Sequence, residues 1–352
     1  MNVMASAREP AAADSAGVPD GSAAVGDAAL AEVRRLLVAW RTHEPGARLG
    51  VDPEELHQLR VTARRLDATL GLFKEHLPKT LVRARKMAKS VLRTLGATRD
   101  LDVQLAGLAA YCSELPDEER ATLEPLRERL MHERVRSQAR MLRALDSEAT
   151  RRWLQTLATA SEAPAAETGP DAVTVAAILP RRVRQRFRRL RKAVKQLRGN
   201  SSMEDYHKVR RRAKQLRYAL ESGVFSYGRP AEEMLKALRR LQDRLGAQQD
   251  AYMAREHLTA LAADPSCGLP PATLFLMGRL AAHHTKVTAE ARATVTRCWR
   301  KVRGRRWKAL RSRLGEFEHR AAAPLTAVPA PAPALLPGTG TSLAAEDRPL
   351  SH

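Results

Sequence analysis

The sequence is poor in cysteine and in long apolar runs. Its three cysteines, Cys112, Cys267 and Cys298, are widely spaced and form no Cys-x-x-Cys pair. This pattern indicates neither a disulfide framework nor a zinc site, and it favours a reducing compartment. No stretch approaches the roughly 18 apolar residues of a membrane-spanning helix, and the N-terminus lacks the features of a signal peptide. We therefore expect a cytoplasmic protein without a transmembrane segment.

Aromatic residues and catalytic motifs are also scarce. Five Phe, four Trp and five Tyr in 352 residues argue against a single-strand nucleic-acid surface built by base stacking. The sequence has no glycine-rich phosphate loop, no HExxH, no G-x-S-x-G and no acids spaced to hold metal ions. His283 and His284 are adjacent, so they cannot present both rings on one helical face to a metal. We expect no catalytic residue, no metal and no cofactor.

What the chain has in excess is positive charge. The formal net charge is +22. Residues 1–28 sum to −3 and residues 321–352 to −1, so residues 29–320 hold +26. So large an excess predicts a polyanionic partner such as nucleic acid, anionic lipid or polyphosphate, and charge alone does not choose among them.

The hydrophobic pattern predicts an all-α protein, because apolar residues recur at spacings of three and four and few β-branched or aromatic runs occur. We expect helical bundles at 28–160 and 176–320, a linker at 161–175, and disordered segments at 1–27 and 321–352. No heptad seam indicates an oligomeric state. Helix starts are predicted near Ala28, Pro53, Pro78, Pro116, Pro180, Ser202, Pro230 and Pro271.

Two motifs recur at one offset. His57-Gln-Leu-Arg60-Val-Thr-Ala-Arg64 returns 150 residues later as His207-Lys-Val-Arg210-Arg-Arg-Ala-Lys214. Leu95-Gly96-Ala97…Asp100 returns at the same offset as Leu245-Gly246-Ala247…Asp250. The shared offset indicates a duplicated structural unit. In each copy the histidine and the two cations lie at i, i+3 and i+7, which places them on one helical face beside the apolar stripe.

The repeated stripe supplies the first candidate binding residues. A single charged residue beside a core stripe is most often a solvated boundary residue, but the repetition favours a function for the stripe as a whole. Arg65 and Arg212 point away from it and are not included. The candidates are His57, Arg60 and Arg64 in the first copy, and His207, Arg210, Lys214, Arg217 and Tyr218 in the second.

Further basic residues form a second set of candidates. Arg83, Lys86 and Lys89, with Lys236 and Arg239 in the second copy, lie on the following helices, where an exposed solubilising face is an equally good interpretation. Residues 181–192 form a basic amphipathic helix that could contact polyphosphate, nucleic acid or a membrane surface. The acids Asp100, Asp102 and Asp250 are interpreted as partners of arginines or as caps at helix junctions.

The two-copy pattern resembles the CHAD domain, the conserved histidine α-helical domain, whose hallmark is a His-x-x-Arg-x-x-x-Arg-Arg helix. Here that helix is His57 to Arg65, and further similarity lies in Leu95 to Asp102 and in Trp299-Arg-Lys-Val-Arg303. The resemblance covers about residues 28–315. One departure is Gln249, which stands where the first copy has Arg99.

The resemblance implies a fold and a ligand. It implies two helical bundles related by pseudo-twofold symmetry, with basic residues lining a central groove that binds inorganic polyphosphate. Our leading hypothesis is therefore non-enzymatic polyphosphate binding at polyphosphate granules, where granule-associated proteins would be further partners. A basic helical protein that binds nucleic acid or the nucleoid is the alternative, and an enzyme of polyphosphate or nucleotide turnover is the third class.

Overall fold

The structure, a computed structural model, describes residues 23–164, 172–222 and 227–322, and it confirms the all-α fold. Within these ranges one isolated bridge, between Ala24 and Thr174, is the only β-type pairing. None of the described helices is long and apolar enough to cross a bilayer. The helices are α1 (Val25–Leu49), α2 (Pro53–Leu72), α3 (Lys79–Cys112), α4 (Asp117–Thr122), α5 (Glu124–Leu145), α6 (Glu148–Glu162), α7 (Val175–Gln196), α8 (Met203–Glu221), α9 (Arg229–Ala263), α10 (Pro271–Arg303) and α11 (Arg305–Ala322).

Three pairs of helices begin 150 residues apart: α1 with α7, α2 with α8, and α3 with α9. The starts of α2 and α8 are capped in related ways. Asp52 accepts a hydrogen bond from the backbone N–H of Glu54, and Ser202 and Asp205 form a full capping box. The shared offset of whole helices supports the prediction of a duplicated unit.

The starts of α1 and α7 are joined by a reciprocal pair of backbone hydrogen bonds. The N–H of Val25 donates to the carbonyl of Val173 at 2.9 Å, and the N–H of Val175 donates to the carbonyl of Ala23 at 3.0 Å. The two bonds are related by the same offset: adding 150 to Val25 gives Val175, and subtracting 150 from Val173 gives Ala23. A twofold relation would produce such a pair at this point, but the pseudo-twofold symmetry of the halves as a whole stays a prediction.

Helices α1 and α7 begin earlier than their sequences predicted. The α7 helix starts at Val175 and contains Pro180, where the sequence predicted its start. The first turn is stabilised because the N–H of Val175 has an acceptor in Ala23 and because Val175, Ala176 and Leu179 are buried. These contacts offset the backbone hydrogen bond that a proline inside a helix removes.

The predicted flexible segments lie mainly outside the described residues. The described chain starts at residue 23, so most of segment 1–27 falls outside it, while residues 25–27 belong to α1. Segment 321–352 also falls outside it, except for the last two residues of α11. In the predicted linker, α6 ends at Glu162 and residues 165–171 are not described.

One hydrophobic core contains residues from both sequence halves. It joins the buried faces of α1, α2 and α3 to those of α7, α8 and α9, and α2 also contacts α8 directly. A second, smaller apolar cluster joins α3, Leu123 and α5 to the C-terminal end of α9 and the N-terminal part of α10. The division into two domains at 161–175 therefore stays a prediction about a molecule whose described halves pack together.

Candidate functional site

The core fixes how α2 and α8 present their repeated cations. Leu59 and Ala63 of α2 and Val209 and Ala213 of α8 have no exposed surface. The cations follow these positions by one residue in each helix, so they lie at the edge of the buried face. Arg60, Arg64, Arg210 and Lys214 are accordingly half-buried rather than fully solvated.

The two repeated stripes meet, since the charges of one helix act on those of the other. The pKa of Arg64 falls to about 10, chiefly because surrounding protein removes water from its guanidinium, and also because Arg60 and Arg210 lie close by. Loss of water likewise lowers the pKa of Arg60, and the positive charges of Arg210 and Arg99 lower it further. All remain protonated at neutral pH. The structure thus brings several like charges together between α2 and α8.

Two aspartates lie among these cations. Asp100 accepts a hydrogen bond from Nη1 of Arg60 at 3.4 Å. The pKa of Asp250 is raised, mainly because protein surrounds it and also because Asp100 is near, while Arg210, Lys214 and Arg60 oppose the shift. The residue nevertheless keeps substantial contact with solvent, so it is not part of the core. We call the set of Arg60, Arg64, Arg210, Lys214, Tyr218, Asp100 and Asp250 the repeat cluster.

The glycines of the second repeated motif make room for these arginines. A Cβ on Gly96 would lie 2.7 Å from Nη1 of Arg60, and one on Gly246 would lie 3.2 Å from Nη2 of Arg210. Each arginine therefore lies directly against the backbone of the following long helix. The sequence showed that both motifs repeat at one offset, but it did not show that one motif positions the other.

Arg217 and Arg239 are directed to Glu221, a carboxylate that belongs to neither repeated motif. Arg217 is only 2% exposed. Its Nε and an Nη of Arg239 both lie 3.8 Å from Oε1 of Glu221, and Nη2 of Arg65 lies 3.7 Å from Oε2. Glu221 therefore balances arginines from α2, α8 and α9. The within-helix spacing of Arg217 and Glu221 was visible in the sequence, but the approach of the other two arginines was not.

The remaining candidates lie around the repeat cluster or on exposed surface. His57 is half-buried one turn before Arg60, whereas His207 is exposed. The guanidinium carbon of Arg217 lies over the ring of Tyr218, 5.0 Å from the ring centre, and Tyr218 is also a neighbour of Arg64. The exposed side chains of the second set are Arg83, Lys86, Lys89 and Lys236, the last of which pairs with Glu233 at 3.5 Å.

Asp102 has a different role from the nearby Asp100. Its side chain is almost fully buried and accepts a hydrogen bond from Nε of Arg134 at 2.6 Å, and Arg134 also donates to the carbonyl of Gly50. This contact confirms that Asp102 is the partner of an arginine. Over the described ranges, no three or more His, Cys, Asp or Glu residues are grouped as metal binding requires, and all three cysteines are free.

The fold and the repeat cluster define an all-helical protein in which two copies of a basic motif face each other. The family is shown by a direct match. The CHAD domain family model matches residues 31–259, which is more than half of the chain, and the protein belongs to the CHAD domain family. No curated protein matches the chain.

Solved structures share this fold. PptA from Streptomyces chartreusis has a TM-score of 0.61 at 23% identity, over 79% of this chain and 100% of that one. The CHAD domain from the plant Ricinus communis has a TM-score of 0.58 at 24% identity, over 84% of this chain and 93% of that one. Similarities at this level of identity concern the fold.

Substitutions of Gly96 and Gly246 by alanine test whether the arginines lie against these glycines. The usual stabilisation of a helix by alanine serves as the reference. Gly-to-Ala inside a helix stabilises by about 0.5–1 kcal/mol where space is free, and nothing lies within 4 Å of a Cβ on Gly107. We expect Gly107→Ala to show this gain in the free energy of unfolding, and Gly96→Ala to lose it because Arg60 must move. Gly246→Ala should fall between them. Denaturant unfolding measures all three, and an equal gain at Gly96 and Gly107 would show that Arg60 does not lie against the α3 backbone.

Proposed function

We propose that the protein binds inorganic polyphosphate, without chemical conversion, in the repeat cluster. The observation that carries the proposal is the crowding of Arg60, Arg64 and Arg210 where water is partly excluded. Like charges held together in this way repel one another, and their repulsion falls when a polyanion enters between them. The bound anion would then be part of the charge balance of the folded protein.

Polyphosphate suits the residue types of the cluster. It carries about one negative charge per interior phosphate and has no bases, so a receptor needs dense cations and no stacking surface. Arginine supplies forked donors to phosphate oxygens, while Lys214 supplies a compact charge. The two aspartates of the cluster, Asp100 and Asp250, would repel any anion. Anions of low charge density, which the cations attract only weakly, would therefore be disfavoured. Membership of the CHAD family supports the same ligand through the resemblance described above.

A competition titration tests this ligand against nucleic acid. Labelled long-chain polyphosphate is displaced by unlabelled polyphosphate or by duplex DNA, matched in total phosphate, at about 150 mM salt. We expect polyphosphate to compete well and DNA poorly. Equal competition would show a general polyanion surface and would favour the nucleic-acid function instead.

The repeat cluster makes a mutational prediction. Arg60→Ala combined with Arg210→Ala should weaken polyphosphate affinity at least about tenfold, or about 1.4 kcal/mol, because one forked donor is lost from each stripe. The matched control is Arg136→Ala with Arg143→Ala, which removes the same charge from the exposed face of α5. Equal effects of the two double variants in the titration would mean that the groove has been misplaced.

Polyphosphate affinity should rise as the pH falls from about 8 to 6. Histidines gain charge in this range, so His57 and His207 become better phosphate donors. His57→Gln with His207→Gln should flatten most of the pH dependence, whereas His132→Gln with His319→Gln, both at exposed positions, should not. Equal affinity of the wild-type protein at both pH values would contradict the prediction.

Binding without turnover, in the cytoplasm and at polyphosphate granules, completes the proposal. The repeat cluster contains donors for phosphate but no described group of metal ligands. We expect purified protein to release no phosphate from polyphosphate when Mg²⁺ or Mn²⁺ is added. Sustained release that is lost in the Arg60→Ala, Arg210→Ala variant would identify an enzyme.

A further inference from the structure

A second group of arginines lies on α7, outside the repeat cluster. We call it the α7 arginine cluster. Its centre is the half-buried Arg186, whose pKa falls to about 10 because water is excluded and because four other arginines lie near it. None of these is an arginine that shifts the pKa of Arg60 or Arg64. The four neighbours are Arg182 and Arg189 of α7, Arg85 of α3 and Arg212 of α8.

Three of these neighbours have partners, whereas the centre has none. Nε of Arg85 donates to Asp67 at 2.8 Å, Arg182 pairs with Glu75, and Nη1 of Arg212 donates to Gln215 at 3.0 Å. Among the residues that the structure describes, Arg186 forms no hydrogen bond or ion pair. Five arginines therefore face two carboxylates, and the half-buried Arg186 is among the arginines that lack one.

The 150-residue offset shows which carboxylate the first copy lacks. Adding 150 to Gly71 gives Glu221, the carboxylate that balances Arg65, Arg217 and Arg239. At position 71 there is no side chain, and a Cβ there would lie 2.8 Å from Cζ of Arg85. In the second copy this position thus carries an anion beside Arg65, Arg217 and Arg239, whereas in the first copy the same space is occupied by the guanidinium of Arg85.

The α7 arginines of this cluster have no counterparts in the first copy. Subtracting 150 from Arg182, Arg186 and Arg189 gives Glu32, Leu36 and Ala39 in α1. The α7 arginine cluster is therefore not part of the duplicated motif. It lies close to the repeat cluster, because Arg64 and Gly71 are seven residues apart on one face of α2.

We propose that the α7 arginine cluster is a second anion site, in which Arg186 binds a phosphate group. The chemistry it recognises is a phosphate oxyanion, supplied either by free phosphate or by a condensed phosphate chain. Of these two sources, only the condensed phosphate chain rests on the proposed function. The bound phosphate would occupy the electrostatic role that Glu221 has in the other copy, with Arg85 and Arg212 as further donors.

Charge-matched variants test the site by calorimetric titration with inorganic phosphate, sodium tripolyphosphate and long-chain polyphosphate at about 150 mM salt. Arg186→Met should weaken tripolyphosphate binding roughly tenfold, because a charge-assisted donor is lost. Arg188→Met removes the same charge from an exposed position of α7 and should change binding less than about twofold. Equal effects of Arg186→Met and Arg188→Met would overturn the proposal.

A second pair of variants tests the same site without removing an arginine. Gly71→Glu places a carboxylate where the other copy has Glu221 and should weaken tripolyphosphate binding by competition. Gly71→Gln has nearly the same shape without the charge and should weaken binding less. If both substitutions act equally, the effect is steric and the proposal fails. This pair also decides the matter if Arg186→Met does not fold.

These titrations also distinguish a failure of the second site from a failure of the proposed function. Weaker binding of all three ligands in Arg186→Met indicates a site for free phosphate, and weaker binding of the two condensed phosphates alone indicates a continuation of the polyphosphate groove. Either result supports the second site. If Arg60→Ala with Arg210→Ala leaves polyphosphate affinity unchanged while Arg186→Met lowers it, the proposed function fails in the repeat cluster and the second site stands.

Discussion

The repulsion among Arg60, Arg64 and Arg210 is the constraint on which the site depends. Three guanidinium groups are held where protein has displaced part of their water, and each such loss disfavours the charged form. The fold must offset this repulsion by other means. Asp100 and Asp250 contribute part of the balance, and the buried faces of α2 and α8 contribute the rest through the hydrophobic core that they share.

The arginines keep this arrangement because both of their ends are fixed. The Cα of each follows a fully buried residue, Leu59 for Arg60 and Val209 for Arg210, so the helices cannot rotate without exposing the core. The guanidinium ends lie against Gly96 and Gly246 on the following helices. A long, flexible side chain is thus confined before any ligand arrives, which reduces the entropy lost on binding.

The sequence predicted the elements of this site better than their contacts. Helical periodicity and proline positions located the starts of α2, α8 and α10, because these signals are local. The contact of Arg60 with Gly96 depends on how α2 packs on α3, and the approach of Arg65 and Arg239 to Glu221 depends on three helices at once. The early start of α7 has the same kind of cause, since the acceptor for Val175 lies 152 residues away, at Ala23. The repeat offset carried some of this tertiary information, because it linked the arginine and glycine motifs before their contact was known.

The positions at which the two copies differ give the site a direction. Arg60, Gly96 and Asp100 have identical residues 150 positions later, and all belong to the shared centre or contact it. Gly71 and Glu221 differ, and they lie beyond that centre on α2 and α8. At the Glu221 end three arginines share one carboxylate, whereas at the Gly71 end five arginines share two, so the excess of positive charge is larger at the Gly71 end. Under the proposed function, a polyanion centred between α2 and α8 would be drawn towards α7, even though polyphosphate itself has two equivalent ends. Duplication supplied a cluster of like charges, and divergence at Gly71 and Glu221 and between α1 and α7 made the two ends of that cluster electrostatically unequal.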